Sequence, residues 1–121
     1  MDRPKVSNDN FPGPEREKLA ELRALVEYGN QVLQKRAVIS EHFEEAQSSE
    51  DKTEITRARS GLQAMNEISQ VVITADGLLQ TSDTPGKLFL AVLINTSTSL
   101  KTLYTQIGEL YPEVLPNSND R

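Results

Sequence analysis

With 121 residues, a formal charge of −5 and no cysteine, the chain holds one domain at most, with no disulfide framework and no thiol chemistry. The acidic balance argues against neutralising nucleic-acid phosphates and against an anionic membrane surface. It fits a cytoplasmic protein kept soluble by its surface. Aromatics are 5% and Trp is absent, so the core must be mostly Leu, Ile, Val and Ala, which suits helices packed side by side.

Residues 1–13 hold Pro4, Ser7, Asn8, Asp9, Asn10, Pro12 and Gly13, with Phe11 the one large apolar group after Val6. That composition cannot repay its ordering entropy and predicts a disordered tail. No apolar stretch follows Met1, so no secretory signal is expected. The longest apolar run, Leu88 to Ile94, is too short to span a bilayer.

Pro14 suits a first helical position, and Glu15 and Glu17 favour a helix N-terminus. From there to about Gln47, Leu19, Leu22, Leu25, Val26, Val32, Leu33, Ile39, Phe43 and Ala46 share one helical face. Gly29-Asn30 is a possible break. The stripe keeps phase through it, so the reading is one continuous or slightly bent helix. Two shorter helices and a four-helix bundle are the alternative.

Ser48 and Asp51 form an S-x-x-D capping pattern before a second helix running to about Leu79. Its expected inward face is Ile55, Ala58, Leu62, Met65, Ile68, Val72, Ile73 and Leu79. After Thr81-Ser82-Asp83-Thr84, Pro85 opens a third helix with Phe89, Val92, Leu93, Thr96, Leu100, Leu103, Tyr104, Ile107, Leu110 and Tyr111 inward. Residues Ile94 to Thr98 are rich in β-branched side chains, but the 3.6-residue period outweighs that strand signal. Pro112 stops the helix.

The expected fold class is therefore all-α: an up-down-up antiparallel bundle of three long helices, completed by dimerisation. Residues 14–112 form it, between disordered tails at 1–13 and 113–121.

Chemistry is sparse. His42 is the single histidine, and a long helical chain invites comparison with histidine phosphotransfer modules, the alternative function carried here. Glu41, Glu44 and Glu45 would repel an incoming phosphoryl group, so the preferred reading is an ordinary surface histidine. Glu41, His42 and Glu45 lack the companion ligands of a di-metal bundle, so neither metal nor cofactor is expected. No P-loop, G-x-G-x-x-G or G-x-S-x-G occurs, and no enzyme is expected. Tyr28, Tyr104 and Tyr111 read as rim aromatics. Acids crowd the first turn, at Glu41, Glu44, Glu45, Glu50, Asp51 and Glu54, and read as a solvated tip. Arg36 and Asp76 fall inside apolar stripes without partners in hairpin register, which leaves partners on another chain or snorkelling to the surface.

The most informative feature is a surplus of apolar residues at one end of helices two and three. Val71 and Leu78 leave the expected inward face, as do Leu90 and Ile94, flanked by Leu88. If the helices pair antiparallel, these five make one patch across both, an interface for a second copy or another protein. The expected function is a non-enzymatic interaction module: a regulator, adaptor or assembly chaperone.

Overall fold

The computed structural model describes residues 13–80 and 87–116, and the side chains of Lys87 and Leu88 fall outside the description. Among the described residues the chain is all-helical, with no strand. Helix α1 spans Gly13–Leu33, α2 Arg36–Ser48, α3 Lys52–Gln80 and α4 Lys87–Leu110, followed by a 3-10 turn over Pro112–Val114. Ile94 to Thr98 lie within α4, as the period required. The expectations for residues 1–12, 81–86 and 117–121 lie outside the described residues.

The first expected helix is divided, and not at Gly29-Asn30. Gln34 and Lys35 form a turn in which Lys35 N–H reaches back three residues to Val32 O at 2.9 Å and Val38 N–H to Lys35 O at 3.0 Å. Tightened three-residue bonds let the axis bend without losing the apolar stripe. Gly29 stays helical because it is a packing residue. A Cβ there would stand 2.8 Å from Val72 Cγ2 and would collide with the Tyr104 hydroxyl.

Side-chain contacts fix how the helices run. Ile39 and Tyr111 both pack on Gly61, and Arg36 Nη1 donates to Asn66 Oδ1 at 2.8 Å, so α2 and α3 run in opposite directions. Lys101 pairs with Glu21, and the Tyr104 hydroxyl donates to Leu25 O at 2.5 Å, so α1 and α4 run the same way. Arg57 Nε donates to Leu110 O at 2.9 Å, which sets the start of α3 against the end of α4.

The core gathers Leu19, Leu22, Val26 and Val32 of α1, Ile39 of α2, Met65, Ile68 and Val72 of α3, and Leu93, Leu100, Leu103 and Ile107 of α4. Tyr104 and Tyr111, read as rim aromatics, are buried in it. Helix α3 begins three residues later than the S-x-x-D pattern implied. Asp51, not Ser48, caps it, with Asp51 Oδ1 accepting Glu54 N–H at 3.2 Å. Beyond Pro112 the chain stays on the body: Val114 is buried, and Leu115 packs against the core beside Gly108.

Two inward assignments fail for one physical reason. Ile73 is 67% exposed and Val92 41% exposed. The buried face of α3 includes Gly61, Ala64 and Ala75, small residues that admit close neighbours. They turn the face towards Val71 and Leu78, away from Ile73. In α4 the buried Ser97 does the same, turning the face away from Val92. Large apolar residues alone gave the wrong centre for both stripes.

Candidate interaction surface and polar cluster

Four of the five residues expected to form one patch are described, and they are distributed over two flanks. Val71 and Leu78 are half-buried and pack against the core from α3. Val71 lines a shallow groove with Thr98, Ser99 and Thr102 of α4. Val92 lies seven residues before Ser99, on the same stripe of α4. Ile94 is 40% exposed, and Leu90 is half-buried. Ile94 lies seven residues before Lys101, whose ammonium pairs with Glu21 of α1, so Ile94 and Leu90 belong to the flank facing α1. Leu88 falls within α4 but its side chain lies outside the described residues. Val71 and Leu78 thus share one stripe of α3, and Leu90 and Ile94 share one flank of α4.

The two polar residues of the apolar stripes need no second chain. Arg36 is exposed and bonded to Asn66, and Asp76 is exposed and accepts from Gln80 Nε2 at 3.0 Å. Both lie at helix edges, where water shares their solvation.

Sequence reasoning missed a polar cluster at the other end of the molecule. His42 is no free surface residue. Its Nε2 stands 2.9 Å from Glu54 Oε1 and its Nδ1 2.6 Å from the Tyr111 hydroxyl. Arg57 Nη1 donates to the same Glu54 oxygen at 3.1 Å, and its guanidinium lies 4.2 Å from the centre of the Tyr111 ring. Gly61 makes room for that ring: a Cβ there would meet Tyr111 Cε2 at 2.7 Å. Burial, opposed by the nearby Arg57 charge, holds the Tyr111 phenol above its ordinary titration range. These contacts join residues up to 69 positions apart, and only the pairing of Gly61 with an aromatic near a helix end could have signalled them.

Tyr111 is 1% exposed, and both His42 nitrogens are engaged, Nε2 with Glu54 and Nδ1 with Tyr111. Among the described residues, no group of three or more His, Cys, Asp or Glu could hold a metal ion, and no helix is long and apolar enough to cross a membrane. No family model, curated protein or solved structure matches the chain.

Proposed function

We propose that the chain is a non-enzymatic protein–protein interaction module, a cytoplasmic regulator, adaptor or assembly chaperone, whose antiparallel helical bundle is completed by a second copy. The observation that carries this reading is the exposure of Ile73, Val92 and Ile94 at the end where α3 closes and α4 opens. Each forfeits on the order of 1 kcal/mol of potential burial while it faces water. Leu90 and Ile94 offer the neatest seat for a twofold contact, because neither belongs to the buried core.

Sedimentation equilibrium over a wide concentration range tests the reading. Wild-type protein should reach the mass of a dimer, and Ile94→Glu should remain monomeric with its helical circular dichroism unchanged. A wild-type chain that stays monomeric throughout would remove self-association and leave docking to a different protein.

A further inference from the structure

The shallow groove beside Val71 does not end there. Glu67 of α3 and Gln106 of α4 line it, and both also line a second hollow with Ala64, Glu109 and Leu110. The two hollows are therefore one furrow along the seam between α3 and α4. From Ser60 to Val71 it follows about three turns of α3, or roughly 16 Å at 1.5 Å per residue. Its floor is apolar: Ala64 and Leu103 are buried, and Val71 and Leu110 are half-buried. Gln70, Thr98 and Thr102 stand exposed along its walls.

The charge in the furrow has one sign. Among the described residues that line it, Glu67 and Glu109 alone carry formal charge, and both are exposed. Neither pairs with a cation among the described residues, and Glu67 has a long contact with Gln63 Nε2 at 3.5 Å. Acids on the other seams differ. Glu21 holds Lys18 and Lys101 where α1 meets α4, and Glu54 holds Arg57 beside His42. Those places supply their own cations. The α3–α4 furrow leaves its two carboxylates to a cation from outside.

We propose that this furrow seats a basic amphipathic helix of another protein, with lysine or arginine beside Glu67 and Glu109 and small apolar side chains over Val71 and Leu103. The seat lies apart from Leu90 and Ile94, so it adds a foreign partner to the interaction reading and does not depend on the dimer. Backbone bonding selects a helix. The peptide groups of α3 and α4 bond within their own helices, so the furrow offers an extended segment no edge to pair with. A helix brings its own hydrogen bonds. Ser60, Ala64 and Ser99 are small, which suits the ordinary spacing of packed helices, about 8–10 Å between axes. Charge selects the sign. Two carboxylates without cations attract a basic segment and repel an acidic one. A second copy, itself at −5, fits this seat less well.

Two synthetic helical peptides test the seat, each about three turns long with alanine and leucine on one face. One carries two lysines on the flanking positions, and the other carries glutamates there. Titrated into the whole chain labelled with nitrogen-15, the lysine peptide should shift the amides of Val71, Thr98, Thr102 and Gln106. It should bind roughly tenfold more tightly than the glutamate peptide. In the double variant Glu67→Gln, Glu109→Gln that preference should vanish, with helical circular dichroism unchanged because both positions are exposed. Ile94→Glu should bind the lysine peptide as wild type does, which separates this seat from self-association. Shifts centred on Glu41, Glu44 and Glu45 would overturn the proposal, since they would mark attraction to acid in general. Equal affinity for the two peptides would overturn it too, as would no binding at millimolar peptide. The same shifts on concentrating the chain alone would give the furrow to a second copy and overturn the foreign helix.

Discussion

The backbone of Gly29 lies against the side chain of Tyr104, whose hydroxyl donates to Leu25 O one turn earlier in α1. The absent side chain is what lets the ring reach that carbonyl. Gly29→Ala should therefore destabilise the protein, although alanine is the better helix former by about 1 kcal/mol. Overpacking against Val72 and Tyr104 costs about 1–3 kcal/mol, so a net loss is expected in urea unfolding. A variant as stable as wild type would mean that Tyr104 yields without penalty.

The buried tyrosines set an alkaline limit. Burial pushes the Tyr104 phenol well above its ordinary value, and Tyr28 and Tyr111 are raised for the same first cause. A raised value means that the folded chain keeps protons the unfolded chain releases, so the contribution is complete below the ordinary tyrosine value of about 10. Above it, stability falls with rising pH. Thermal melts from about pH 9 to about pH 11.5 should show this decline, and Tyr104→Phe should make it shallower. An identical slope in the variant would detach the decline from Tyr104.

Among the described residues, Glu50 is the non-glycine residue with positive φ, at 57°, between the end of α2 and the cap of α3. Its neighbour Asp51 N–H reaches back to Ala46 O at 3.0 Å, and Glu50 N–H to Gln47 O at 3.2 Å, the bonding of a left-handed helix stop. Glycine adopts this conformation without strain. Glu50→Gly is expected to raise stability by roughly 0.5–1 kcal/mol, seen as a higher urea midpoint at constant slope.

Exposure separates two leucine-sized groups that sequence reasoning treated differently. Leu100 is fully buried, and Leu100→Ala should cost about 2–5 kcal/mol. Ile73, expected to face inward, is largely in water, so Ile73→Ala should cost well under about 1 kcal/mol. Denaturant titration of both variants decides between the exposed position and the inward one.

How far the sequence could be read follows from what each kind of residue signals. Long runs of Leu, Ile and Val at helical spacing made the helices legible, along with the burial of Met65, Ile68, Leu93 and Leu100. Glycine and alanine leave no such trace. Gly29 looked like a break and is a contact, while Ala64 and Ala75 line a face that only larger residues had announced. The actual turn at Gln34 and Lys35 carries no Pro or Gly, so nothing local marked it. His42 was legible as chemistry only through its neighbours in sequence. Its partners, Glu54 and Tyr111, arrive from α3 and from the end of α4.

Arg57 gives α4 something its own sequence withholds. The last turn of α4 contains no basic residue, yet its terminal carbonyl at Leu110 receives the Arg57 guanidinium from α3. Positive charge at a helix C-terminus offsets the negative end of its dipole, so α4 borrows its stop from a residue 53 positions away. The end of α4 is thus completed from two sources, the local bond from Tyr111 N–H to Ile107 O at 2.7 Å and a donor carried by the first turns of α3.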